Sequence, residues 1–335
     1  MRGKAAMDRS MPEDYAPSHP LTLPSPPFWG RGILLALSLL PAAALAQSPL
    51  KQSEWLPPGS AIAGDLLERP REALEGGERQ NFYVEFGRLA FRSPEILGGN
   101  ARRAGISCNA CHSSGHVNAR FFVPGVSDRP GRVDVTHALW NHRGEDGRFN
   151  PLDIPTLRNV FAKARLGRDG RVVSLREFAR NVIVLEFGGD EPSPLLLDAL
   201  TAYMQELRTP SDPAPEAVTP AADLADLRRG LAALQVPLLD EDAALAELAI
   251  RMIRGQAGLV AERFHLPQHE EVRAALARWT DGLRSLDSMV AAGDFPAARR
   301  KRSVVDADLV ALALPLGAAA PTSLYDPATV RALAR

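Results

Sequence analysis

The chain has 335 residues, 45% apolar and 24% charged, with 39 basic and 40 acidic residues giving a net charge of -1. That apolar share supports a hydrophobic core and excludes a wholly disordered chain, and the even charge balance gives no bulk attraction to nucleic acid. Two cysteines in this length exclude a disulfide-stapled scaffold.

Ile33 to Ala46 form an apolar run behind Arg31, closing with Ala44-Leu45-Ala46. A basic flank, a short apolar core and small residues at -3 and -1 predict a cleavable export signal, cut after Ala46. The run has 14 residues, short of the roughly 20 that span a bilayer, so no membrane span is expected in the mature chain. Residues 1–30 are Pro-rich and aperiodic, an unusual preface to a signal, which suggests that synthesis starts nearer the apolar run.

Residues 47–77 are punctuated by Pro and Gly and read as an irregular lead-in. A helix is expected from about Glu78 to Phe91, with Phe82, Phe86 and Leu89 near one face and Pro94 limiting it. A Gly/Asn-rich loop, Gly98 to Gly105, leads to the cysteines. Residues 113–173 lack regular periodicity, and so long an irregular stretch in a compact domain usually wraps something. Ser174 and Glu177 form a capping box for the next helix, with Leu175, Phe178, Val182 and Leu185 as its buried stripe and Gly188-Gly189 at its end. Ser193-Pro194 starts another helix carrying Leu196, Leu200, Tyr203 and Leu207.

A Pro/Ala-rich linker is expected at 209–222, followed by a cysteine-free, Ala/Leu/Arg-rich helical region at 223–335. Leu245, Leu248, Ala249, Met252 and Ile253 fit one helix face. Val272, Leu276, Trp279, Leu283, Leu286 and Val290 form a stripe for packing on another helix. The expected fold is mainly α: an α-rich domain at 78–208, then an α-helical C-terminal appendage at 223–335.

Cys108-Asn109-Ala110-Cys111-His112 is a C-x-x-C-H motif, the attachment pattern of c-type haem. Residues three apart share a helix face, so both thiols can reach the two vinyl groups of one porphyrin while the adjacent histidine ligates the iron. A structural zinc needs four ligands and there is no second cysteine pair. A thioredoxin-like pair needs a βαβ setting, and a plain disulfide gives no role to His112. Export agrees with this chemistry, because c-type haem is attached outside the cytoplasm. A domain of this kind crosses its first and last helices closely, and Gly87 with Phe91 on the first and Ala202-Tyr203 on the last supply a smooth patch and an aromatic partner.

The segments FGRLAFRSPEI (86–96), ISCNACHSSGHVNARFFVPGVSDRPGRVDVT (106–136), IPTLRNV (154–160) and GRDGRVVSLREFARNVIVLEFGG (167–189) resemble the di-haem cytochrome c peroxidase family, which includes the MauG-like enzymes. The resemblance covers residues 80–208. It implies that residues 78–208 form an α-helical, cytochrome c-like haem domain in the periplasm, with one covalent haem c on Cys108 and Cys111 and iron on His112. Family members carry two haem domains, one reacting with peroxide and one relaying electrons, whereas this chain has a single C-x-x-C-H. In Gly167-Arg168-Asp169-Gly170-Arg171 an arginine stands where some relatives place histidine.

The sixth iron ligand stays open among His137, His142 and Met204. His116, four residues past the proximal ligand, is expected on the proximal side. His265, His269, Met252 and Met289 would reach the haem only if the appendage folded back over it. Arg120, Arg129 and Arg158 are candidates to neutralise the propionates. Arg299-Arg300-Lys301-Arg302 could meet an acidic partner or anionic lipid, and a solvated turn is the simpler reading. The expected function is single-electron transfer with a periplasmic partner: a cytochrome, a cupredoxin or a quinone-linked donor. The alternative is a peroxidase-like enzyme fed by an external electron donor.

Overall fold

The computed structural model describes residues 66–77, 81–167 and 170–333. The expected export signal, most of the lead-in, and Arg168-Asp169 lie outside the described residues. In chain order the elements are β1 (Glu68–Arg69), α1 (Phe82–Phe91), α2 (Gly99–Arg103), α3 (Cys108–Cys111), β2 (Arg132–Val133) and β3 (Leu152–Asp153). Helix α4 (Leu175–Asn181) runs into a π turn (Val182–Glu186), followed by α5 (Pro194–Glu206) and β4 (Glu216–Ala217). The rest is helical: α6 (Pro220–Ala233), α7 (Gln235–Leu239), α8 (Ala243–Glu262), α9 (Glu270–Ala291), α10 (Phe295–Ala311), α11 (Ala313–Ala319) and α12 (Pro327–Leu333). The described chain is mainly α, as expected.

Helix α1 starts where the Asn81 side chain accepts from the Val84 N–H at 3.1 Å, satisfying one of the orphan donors of a helix start. It buries Val84, Phe86, Gly87, Leu89, Ala90 and Phe91, too wide an arc for a helix with one solvent face. The reason is that α1 packs on α5 and also on α6 and α8. Against α5 the approach is backbone to backbone: a Cβ on Gly87 would lie 2.0 Å from the Ala199 carbonyl oxygen and 2.9 Å from Tyr203 Cβ. One turn on, the Phe91 and Tyr203 rings meet with centroids 5.1 Å apart. The expected helix crossing is built, with Ala199 rather than Ala202 under the glycine.

The Ser174 hydroxyl accepts from Glu177 N–H at 3.3 Å, as the capping box requires. The expected buried stripe of α4 is not what forms. Leu185 is 54% exposed and Leu175, Phe178 and Val182 are half-buried, while Ala179 and Ile183 point inward. The π turn is the cause: its wider winding shifts the phase of the helix, so a 3.6-residue stripe loses register by Leu185. In α5 all four expected core residues, Leu196, Leu200, Tyr203 and Leu207, are buried, and so are all six of the α9 stripe.

The 209–222 segment is not free-standing. β4 pairs antiparallel with β1, Glu68 opposite Ala217, and Val218 N–H donates to Leu67 O at 2.8 Å. Thr219 then caps α6, with Pro220 at the first helical position, so that helix begins inside the expected linker. One hydrophobic cluster runs from Val84 to Tyr325 through the first part of the chain and the C-terminal helices alike.

Beside this core lies a buried ion cluster. Glu72 accepts from Tyr203 OH at 2.6 Å and Arg92 Nη2 at 3.0 Å, and pairs with Arg88 Nη2 at 2.5 Å. Asp226 of α6 pairs with Arg92 at 2.8 Å, Arg69 at 3.2 Å and Arg229. Burial opposes ionisation of both carboxyls, but Arg92 and Arg88 outweigh it and hold both below the usual carboxylate range. The cluster ties the lead-in, α1, α5 and α6 together.

Candidate functional site

The two cysteines occupy a single helical turn, α3, closed by Ala110 N–H to Ser107 O at 3.0 Å and His112 N–H to Cys108 O at 2.8 Å. Asn109 and Asn118 brace it. The Asn109 side chain accepts from Ser114 N–H at 2.9 Å, Asn118 Nδ2 donates to Ala110 O at 2.8 Å, and Asn118 N–H donates to Cys111 O at 2.9 Å. Both thiols are free and half-buried, and both leave the same turn.

Immediately after the motif the chain reverses through Ser114 and Gly115, both with positive φ. A Cβ on Gly115 would meet the Leu207 side chain at 2.8 Å, so glycine lets this reversal rest on the end of α5. The reversal in turn orders residues 155–159. Leu157 N–H donates to Gly115 O at 2.9 Å, Thr156 Oγ1 to the same oxygen at 3.3 Å, and Asn159 N–H to Leu207 O at 2.9 Å. That pinning places the Pro155 carbonyl 2.9 Å from His112 Nδ1.

A carbonyl oxygen can only accept, so Nδ1 carries the proton and Nε2 keeps its lone pair free. Burial is the main cause that lowers the His112 pKa to about 4, assisted by the Lys163 charge and opposed by the Pro155 hydrogen bond. At neutral pH the ring is therefore an uncharged, oriented base. Burial also pushes the Cys108 thiol up to about 12 and raises Cys111, the latter helped by the neighbouring charges of Cys108 and Glu186. These are protonated thiols, unlike the depressed, reactive thiolate of a redox dithiol. Two thiols and an imidazole with a free Nε2 thus leave one turn and its cap, although among the described residues no three His, Cys, Asp or Glu side chains converge closely enough to hold a bare metal ion.

Several apolar side chains between residues 149 and 185 are more than half exposed, although the Arg208 guanidinium lies over the Phe161 ring at 4.1 Å. Phe149 is 58% exposed, Phe161 54%, Val173 71% and Leu185 54%. Glu186 stands at the end of the π turn, where burial raises its carboxyl to about 7, and it is electrostatically coupled to Cys111. Pro155, Lys163 and Glu186 were not singled out from the sequence. The only acid in the apolar run Val182–Phe187 was a usable signal for Glu186. Pro155 and Lys163 carried none, because their placement depends on the reversal at Gly115.

The other expected residues are distributed as follows. His137 is half-buried, and its Nδ1 accepts from Leu139 N–H at 3.0 Å, which leaves the proton on Nε2. His142 is exposed. Met204 is buried on α5. His116 lines a cleft of about 660 Å³ between the post-motif loop and helices α6 and α8, together with Arg120, and its Nδ1 is shielded without a hydrogen bond. Arg158 donates to Arg71 O at 2.7 Å, and Arg129 pairs with Asp153 at 3.0 Å on the surface. In the C-terminal helices His269 Nε2 bonds Thr322 O at 2.8 Å, His265 Nδ1 bonds Glu262 O at 3.2 Å, Met252 is buried and Met289 half-buried. Comparison with known protein families, curated proteins and solved structures finds no match.

Proposed function

We propose that this chain is a c-type cytochrome that carries one covalent haem on Cys108 and Cys111, with His112 on the iron, and transfers single electrons in the periplasm. The observation that carries the reading is the 2.9 Å hydrogen bond from His112 Nδ1–H to Pro155 O. It fixes the tautomer and the ring plane of a histidine that directly follows two thiols on one turn. A carbonyl that accepts from the ring's other nitrogen orients a metal-bound imidazole and raises its basicity. The residues on this turn fit the group: two thiols for thioether bonds and a neutral imidazole with a free Nε2.

When bound, haem supplies a one-electron ferric/ferrous couple. The chain's part is to hold it. The braced turn keeps both sulfurs on one side, Pro155 stops the imidazole from rotating, and the α1–α5 crossing fixes the segment that positions Pro155. The four segments that resemble di-haem peroxidases support descent from that family, and the single C-x-x-C-H, a departure from it, requires an external electron partner such as a cytochrome, a cupredoxin or a quinone-linked donor.

Glu186 favours a second reading, peroxide reduction with electrons from an external donor. A carboxyl that changes protonation near neutral pH beside Cys111 is suited to take a proton from peroxide and return it to the departing water. One experiment addresses both readings. The chain is expressed in a host with c-type haem assembly, and its optical spectrum is recorded oxidised, reduced and with peroxide. A covalent, low-spin spectrum unmoved by peroxide is expected. A high-spin spectrum with peroxide turnover transfers the assignment to the enzyme, and absence of covalent haem refutes both.

A further inference from the structure

We infer that the outer face of α10 and α11 rests on an anionic lipid surface. The two helices run from Phe295 to Ala319, interrupted only at Leu312. Val305, Leu309, Leu312 and Leu316 face inward and are buried. An ordinary surface helix would be polar on the other side. Here the exposed residues are Val304, Ala307, Ala311, Leu314 and Ala318, spaced alternately three and four apart, with Val310 beside them. Leu314 is 82% exposed, Val310 56% and Val304 49%. The segment Phe295–Thr322 is long and apolar enough to cross a membrane, yet only 22% of its most apolar window is buried.

Charge decides the occupant. In the basic run, Arg299 and Arg302 are used internally, donating to Leu238 O at 2.9 Å and Leu231 O at 3.1 Å. Arg300, four residues before Val304, is exposed at the N-terminal end of the apolar face, and Lys301 flanks that face, half-buried, with its Nζ 4.0 Å from where a Cβ on Gly282 of α9 would stand. Neither has a hydrogen bond or ion pair among the described residues, and Asp308 is the one exposed acid of the two helices. Free cations bordering an uncovered apolar helix complement anionic headgroups and the acyl boundary beneath them. A second copy fits less well. An antiparallel pairing that sets Val304 against Leu314 places Arg300 opposite Ala318, with no counter-charge, and a parallel pairing sets cation against cation.

The test is independent of the cofactor. The purified mature chain, residues 47–335, is floated with phosphatidylcholine vesicles with or without about 30 mol% phosphatidylglycerol. Flotation with the anionic vesicles alone is expected, weakened by salt. Val310→Gln/Leu314→Gln and Arg300→Glu should each cut it about tenfold while unfolding temperatures stay unchanged, because these side chains are exposed. The inference is overturned if anionic vesicles carry no protein, or if either variant binds as well as the parent. It is also overturned if sedimentation shows a dimer that Leu314→Gln dissolves and vesicles do not bind.

Discussion

At the scale of single residues, His112 and Glu186 are both titratable groups that the fold holds in their neutral forms. For His112 the depressed pKa makes the fold less stable as pH falls through about 6.5 towards 4, where the unfolded ring binds a proton that the folded ring refuses. Glu186 has the opposite sign. Its folded value of about 7 lies above the ordinary 4.5, so its contribution is fully present below pH 4.5 and is lost as pH rises through 7. Glu186→Gln removes that loss. In urea titrations the variant should match the parent at pH 4.5 and exceed it by about 2 kcal/mol at pH 8. A stability difference that does not change between the two pH values would refute the assignment. His112 was legible in the sequence because C-x-x-C-H states its chemistry at fixed spacing. Its hydrogen-bond partner was not, since Pro155 is 43 residues away and meets it only after the reversal at Ser114 and Gly115.

At the scale of elements, legibility followed periodicity. The α9 stripe is a regular helix packed on helices, so an interval of three and four residues reads directly as burial. The α4 stripe fails at Leu185 because a π turn changes the winding and leaves no mark in apolar spacing. The α1–α5 crossing was legible for another reason: a glycine followed one turn later by an aromatic is a costly choice in a helix unless a backbone must come close. This makes Gly87→Ala a sharp test. Alanine gains up to about 1 kcal/mol of helix propensity, but its Cβ would overlap the Ala199 carbonyl, which cannot rotate away. A net loss of about 3 kcal/mol is expected in chemical denaturation. Gly255→Ala in α8 is the control, because a Cβ there meets nothing within 4 Å and should stabilise by about 0.5 to 1 kcal/mol. Equal effects of the two substitutions would mean that the helices do not cross at Gly87.

At the scale of the whole molecule, the C-terminal helices are joined to the first part by a shared apolar core and by the ion cluster around Glu72 and Asp226. Neither was visible in the sequence. Glu72 lies in an irregular lead-in and Asp226 in the second turn of a helix after a Pro-rich segment, and nothing in local pattern pairs residues so far apart. The cluster's energetics follow from its burial. Arg69, Arg88, Arg92 and Arg229 all converge on Asp226, and Arg92 is also held by Glu72. Asp226→Ala would leave those guanidiniums facing one another, paired only in part by Glu72 and Glu216 and by the nearby charges of Glu85 and Asp223. Removing one partner from a buried ion pair costs about 3 to 5 kcal/mol. Because α1 packs on both α5 and α6, the loss cannot stay in α6. Hydrogen exchange followed by mass spectrometry should show α1, α5 and α8 losing protection together, with Asp226→Asn intermediate because the amide keeps hydrogen-bond acceptance without the charge. Deprotection confined to α6 would mean that the C-terminal helices are an independently stable body, and that the cluster decorates their boundary without joining the two.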